Sequence, residues 1–168
     1  MPTLTHHGGH VGVTGSCHEL HYGANHSLLV DCGLFQGKDA VRHPALEIEF
    51  PVDPITAVVL THAHWDHSGG ASIFADARLI IRQAELDWWQ ASVLEGNPES
   101  VGLREQDLAA VAGRAEPVGD LEVEPWPGIR LIPGGAHTAG ALWVKVGDVA
   151  LASANVYLYE TLAGPTAY

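Results

Sequence analysis

The chain has 168 residues, with 20 Asp and Glu against 8 Lys and Arg and a formal net charge of −12, so its length predicts one domain over residues 1–168 with enough chain to bury a core. Its basic side chains are scattered singly, which disfavours a nucleic-acid partner because tracking phosphates needs clustered cations. No apolar stretch follows early basic residues and no run is long enough to cross a bilayer, so the expectation is a cytoplasmic protein without a membrane segment.

In chain order, strands are predicted at residues 3–6, 16–22 and 27–31, from β-branched or alternating segments bounded by Gly or Asp. His6, His7 and His10 are read as loop histidines facing water, with recruitment to a site as the alternative. Cys17 and Cys32 each lie in an apparent strand and are read as buried, reduced thiols; a disulfide between neighbouring strands stays open. A strand at 57–60 leads into Thr61-His62-Ala63-His64-Trp65-Asp66-His67, and Gly69 to Ala75 is expected to form a short helix with its positive end toward that loop. After a strand at 78–82, Gln83 to Leu94 places Leu86, Trp89 and Val93 at helical spacing. Segments 95–102 and 116–128 read as loops because of Gly96-Asn97-Pro98, Pro117, Pro125 and Pro127, with a helix from Arg104 to Ala115 between them. Strands at 129–132, 141–146 and 149–153 complete the pattern.

Residues 61 to 67 carry the chemistry. Two His separated by one residue leave a strand end with their rings on the same side, and Asp66 and His67 in the following turn can point back to the same cavity. Neutral imidazole and ionised carboxylate suit a zinc-like divalent ion, although iron, manganese, cobalt and nickel accept the same donors.

His-x-His-x-Asp-His after an apolar strand resembles the signature of the metallo-β-lactamase superfamily. The resemblance implies an α/β fold, an αβ/βα sandwich of two mixed sheets flanked by helices, here shortened at the C-terminus. It also implies that His62 and His64 share one metal with a distant His, for which His137, after Ile129-Arg130-Leu131-Ile132 and the turn Pro133-Gly134-Gly135-Ala136, matches the context. Asp66 and His67 would serve a second metal. The bridging Asp expected at the end of a late strand falls at Ala154, which cannot ligate, so one zinc per chain is expected, with a second ion weak or absent. Asn155, His7 and His10 are the substitutes weighed for that position.

Residues 1 to about 57, with Val13-Thr14-Gly15-Ser16-Cys17-His18 and Leu29-Val30-Asp31-Cys32-Gly33, resemble bacterial β-CASP proteins, a branch that includes RNA nucleases. In that branch the acid matching Asp31 supports the metal loop by hydrogen bonding. Residues about 58 to 164 instead resemble N-acyl homoserine lactonase-like hydrolases, through Ala84-Glu85-Leu86-Asp87-Trp88-Trp89 and Asn155-Val156-Tyr157. The join falls near residues 50 to 60, and a truncated relative and a chimera are both open. The lactonase resemblance gives Tyr157 a hydrogen bond to the substrate, against packing at a strand end. Trp65 is read either as a pocket wall or as a cap on the helix.

The expected function is a metal-dependent hydrolase using a zinc-bound hydroxide on an ester or lactone, with Asp66 orienting the nucleophile and carrying a proton. A phosphodiesterase or nuclease is the enzyme alternative, and a metal-binding scaffold with little catalysis the non-enzymatic one. A small-molecule substrate and a homodimer are the expected partners.

Overall fold

The computed structural model describes residues 2–9, 14–24, 26–35, 48–135 and 137–156. A six-stranded sheet contains, side by side, β1 (Thr3–Gly8), β2 (Cys17–Gly23), β3 (His26–Cys32), β4 (Ile55–Val59), β5 (Arg78–Arg82) and β6 (Ala115–Val118). It is mixed, since β1 to β3 pair antiparallel and β3 to β6 parallel. A four-stranded sheet follows in the order β10 (Val149–Leu151), β9 (Leu142–Val146), β8 (Ile129–Pro133) and β7 (Val123–Trp126), each pair antiparallel. The helices are α1 (Trp65–Ser68), α2 (Gln83–Leu94) and α3 (Glu105–Ala112). Among the described residues no helix is long and apolar enough to cross a membrane.

The layers follow from strands that are apolar on both faces. Alternate residues of a strand point to opposite sides, and Leu28, Val30, Ala57, Val59 and Ile80 all turn toward Ile129, Leu131, Leu142 and Val144 of the smaller sheet. Their neighbours Leu29, Val58, Leu60, Leu79 and Ile81 turn the other way and are covered by Leu86 and Trp89 of α2 and Leu108 and Val111 of α3. A parallel sheet buried on both sides reads as continuous Val, Ile and Leu, which is what β4 and β5 show. Each such side chain contributes about 1.5–3 kcal/mol on full burial.

Several boundaries differ from those expected. Residues 116–128 are not all loop, because they supply most of β6 and β7. Both are edge strands, where Pro117 and Pro125 are tolerated because one row of backbone N–H groups needs no partner. The helix expected over Gly69 to Ala75 begins earlier, inside the motif at Trp65, and a 3-10 turn at Ala71–Ile73 follows. Gly69 is fixed there by space, since a Cβ on it would strike Leu34 and the Trp65 carbonyl. His6 and His7 lie in β1, which extends to Gly8. The last strand stops at Leu151, and Ser153 takes φ 51° at the start of a 3-10 turn through Asn155.

Candidate metal centre

The ends of β3 and β4 place the motif. Beyond β4, the Leu60 amide still donates to the Ile80 carbonyl at 2.8 Å, and the chain then leaves the sheet through Thr61. Asp31, at the end of β3, catches it there. Its carboxylate is 1 % exposed and accepts from the Thr61 amide at 2.8 Å, the Thr61 hydroxyl at 2.9 Å, the Ser16 hydroxyl at 3.0 Å and His67 Nδ1 at 2.8 Å. Backbone bonds from the Ser16 amide to the Asp66 carbonyl (2.9 Å), Leu34 to Trp65 (3.1 Å) and Gly70 to Cys32 (2.7 Å) press α1 against this strand end. A Cβ on Gly33 would run into the Asp66 carbonyl, so that approach requires glycine.

His62, His64 and His137 converge. His62 Nε2 lies 3.2 Å from His64 Nδ1, His137 Nε2 lies 3.1 Å from the same nitrogen, and the three ligand atoms all fall within 4.8 Å of one another. The rings meet edge to face, with centroids 4.7 to 4.9 Å apart. Zinc–nitrogen bonds of about 2.0–2.1 Å in tetrahedral geometry put neighbouring donors roughly 3.3 Å apart, the spacing of the His62–His64 and His64–His137 pairs. Burial, and then the neighbouring imidazoles, hold His62 well below its usual range and bring His64 down to about 4; burial likewise lowers His137. Imidazoles disfavoured from taking up a proton and gathered this closely suit a divalent cation, which binds the neutral ring.

Asp66 and His67 form a separate pair. Both lie on α1, with His67 Nε2 3.8 Å from Asp66 Oδ2. His67 Nδ1 is engaged by Asp31, which leaves Nε2 to face Asp66. Burial alone would lower the His67 pKa, but the Asp31 carboxylate and then Asp66 turn the net shift upward. Burial raises Asp66, against the pull of His67.

The other expected residues sort as follows. Ala154 sits in the 3-10 turn, whose Ser153 hydroxyl lies 2.7 Å from Thr61 Oγ1 and 3.3 Å from His67 Nδ1. Asn155 gives its amide nitrogen to the Ala152 carbonyl at 3.0 Å, and its Oδ1 is buried without a hydrogen bond. His7 bonds Glu19 at 2.8 Å and stacks on Phe50, while His6 meets His18 at 2.8 Å; among the described residues only His62, His64 and His137 form a group of three or more donors able to hold a metal. Tyr157 and His10 lie outside the described residues. Trp65 stands beneath the Arg104 guanidinium at 5.9 Å, in a cleft of about 350 Å³ shared with Glu99 and Leu103. Cys17 and Cys32 face each other across β2 and β3 as free thiols, Cys17 pushed up to about 12 by burial.

Sequence reading missed Ser16, Ser153 and Glu85 as parts of this assembly. Glu85 is fully buried in the first turn of α2, where its oxygens accept from the Ala63 amide at 2.8 Å and the Gly140 amide at 2.7 Å. The signal for it was an acid beside Leu86 on a helix that the apolar spacing already placed against the core.

With two sheets, flanking helices and three imidazoles converging beyond the strand ends, the architecture is the metallo-β-lactamase fold. The chain belongs to the metallo-beta-lactamase superfamily, whose family model matches residues 11–152. Among curated relatives, a ribonuclease of Thermus thermophilus is 52% identical over 59 residues, which are 34% of this chain and 13% of the ribonuclease. Among solved structures, a dizinc quorum-quenching lactonase in complex with the product N-hexanoyl-L-homoserine aligns with a TM-score of 0.57 at 20% identity, covering 79% of this chain and 52% of that one. A probable metal-dependent hydrolase from Staphylococcus aureus aligns with a TM-score of 0.56 at 18% identity, covering 81% and 55% respectively. The chain thus spans about half the length of these solved structures and a small part of the ribonuclease.

Proposed function

We propose that this chain is a hydrolase of esters or lactones that works with one zinc ion per chain, held by His62, His64 and His137. The convergence of His62 Nε2, His64 Nδ1 and His137 Nε2 within 4.8 Å carries the reading. An ion bound there supplies Lewis acidity, polarising a carbonyl and lowering the pKa of a water to about 7. The side chains around it supply position and proton traffic. Asp66, half-buried and raised by that burial, accepts the water proton at Oδ2 and returns it to the leaving oxygen. His67, itself held by Asp31, places its Nε2 3.8 Å from the Asp66 carboxylate. The Trp65 and Leu103 cleft beside the motif offers an apolar wall for an uncharged substrate, and a surface of net charge −12 suits such a substrate better than a polyanion.

A phosphodiester substrate is the second reading, favoured by the identity to the Thermus ribonuclease. Its weakness is the two-ligand pair Asp66 and His67, because phosphoryl transfer commonly uses two ions as a clamp. Elemental analysis of purified protein and of His137→Ala, with turnover of a lactone and of an aryl phosphodiester measured in parallel, tests both. One zinc per chain, lost in His137→Ala together with lactone turnover, is expected. A metal-free protein with no turnover of either substrate would refute both readings, and phosphodiester turnover alone would replace the first by the second.

A further inference from the structure

The two loops that bring the three imidazoles together come from distant parts of the chain. His62 and His64 follow β4, whereas His137 sits in the turn between β8 and β9, closed at its neck by the Gly134 amide donating to the Ala141 carbonyl at 2.8 Å. The Leu142 amide donates to the Thr61 carbonyl at 2.9 Å, which fixes the roots of the loops but not their tips. Glu85 ties the two loops a second time. Its Oε1 accepts from the amide of Ala63, the residue between the two histidines, and its Oε2 accepts from the amide of Gly140, three residues beyond His137. The side chain is fully buried and comes from the first turn of α2, an element that contributes no donor to the metal group. A Cβ on Gly140 would strike the Glu85 backbone, so the loop lies against the helix with no room for a side chain between. From the same junction, buried Arg82 directs its guanidinium to the carbonyls of Ala141 at 3.3 Å and Gly134 at 3.4 Å. Arg82 thus grips the carbonyls at both ends of the His137 turn, and Glu85 the amide of Gly140 beside one of them.

We infer that Glu85 is a positioning residue for the metal centre, setting the distance between the His62–His64 pair and His137. The inference rests on the proposed three-His site and deepens it. A carboxylate suits the task because it accepts at both oxygens, and charge-assisted bonds to backbone amides are short and directional. Glutamine preserves the shape but can accept at one oxygen only; its NH2 then faces either the Ala63 or the Gly140 amide as donor against donor, and one loop must move.

The test compares Glu85→Gln with Val111→Ala, a core truncation under α3 that removes packing without touching either loop. Zinc affinity is measured by competition with a chromophoric chelator, the ligand-field absorption is recorded on the cobalt-loaded proteins, and metal-free stability is measured by urea unfolding. Removing an outer support of metal ligands costs about 10–100-fold in affinity, so Glu85→Gln is expected to weaken zinc by that factor and to alter the cobalt spectrum. Val111→Ala is expected to lose stability with affinity and spectrum unchanged. Zinc affinity in Glu85→Gln within about twofold of the parent would overturn the inference, as would equal weakening in Val111→Ala, which would make the effect one of stability alone. Should Glu85→Gln not fold, Glu85→Asp replaces it, keeping the charge but one methylene too short to reach both amides, with the same outcomes deciding. A parent protein that binds no zinc would overturn the three-His reading and this inference together, whereas zinc bound equally by parent and variant sinks this inference alone.

Discussion

Replacing Asp31 by Asn separates support of the loop from ligation of a metal. Asp31 adopts φ 64°, a left-handed conformation that Asn tolerates better than most residues, so the backbone is left undisturbed and the change is confined to one atom. That atom matters because the two carboxylate oxygens accept from Thr61, Ser16 and His67. With the amide oxygen kept on the Thr61 amide, an NH2 replaces Oδ2 opposite Ser16 and His67. Ser16 can rotate and accept. The imidazole of His67 can accept only by moving its proton from Nδ1 to Nε2, the nitrogen that faces Asp66. Loss of a buried hydrogen bond to a charged group costs about 1.5–3 kcal/mol, and at roughly 2–4 °C per kcal/mol for a chain of this size the melting temperature should fall by about 3–12 °C. Thermal unfolding of the metal-free protein reads the stability, and nitrogen NMR of the His67 ring reads the tautomer. A melting temperature within about 1 °C of the parent, with the proton still on Nδ1, would refute the assignment of Asp31 as the anchor of the motif.

Burial raises Asp107 from 3.8 to about 6 against the opposing charge of Arg104, whose Nε stands 3.5 Å away without closing a hydrogen bond. A raised folded pKa means that the folded state holds the proton more tightly, so stability from this group is present below 3.8 and is lost as pH rises through about 6. Asp107→Asn should therefore gain roughly 1–3 kcal/mol over the parent at pH 8 and nothing near pH 3; urea unfolding at both values checks this, and an equal difference at both would exclude the titration as its cause. Ala154→Asp should raise the metal stoichiometry from one toward two, because it adds a carboxylate beside Ser153, which already reaches Thr61 and His67. Elemental analysis of a folded variant with unchanged zinc content would show that Ala154 does not occupy the bridging position.

What could be read from the chain and what could not divide along a physical line. The closeness of His62 and His64 is legible because side chains near in sequence after an apolar strand have few places to point, and the hydrogen bonds that Asp31 accepts from the loop agree with its resemblance to a supporting acid. Glu85 was not legible. Its value lies in two backbone amides from loops far away in the chain, and no local pattern encodes an amide waiting for an acceptor; helical spacing drew attention to Leu86 and Trp89 on the same turn. The strands at Ala115–Val118 and Val123–Trp126 were hidden for a different reason. Their prolines argue against a strand only when both edges must pair, and edge position is decided by topology. Ser153 was hidden because its φ of 51° is one that glycine or asparagine would have announced and serine does not.

The two donor sets differ in how they are held, and that difference bears on the number of ions. His62, His64 and His137 come from two loops tied together by backbone bonds and by Glu85, and one ring nitrogen of each falls within 4.8 Å of the others. Asp66 and His67 come from one helix of four residues, and half of the His67 ring is spent on Asp31. A catalytic ion usually takes three protein ligands and keeps an open position; the first set supplies three, the second two, with alanine at the place where a bridging acid is expected. A carboxylate not claimed by a second ion is free to exchange protons, and its raised affinity for a proton moves it toward that use. On the proposed one-ion reading, Asp66 would move a proton where a second ion would have held charge, which would suit acyl substrates, whose cleavage needs a proton delivered to the leaving oxygen, over phosphodiesters, whose cleavage leans on a second cation.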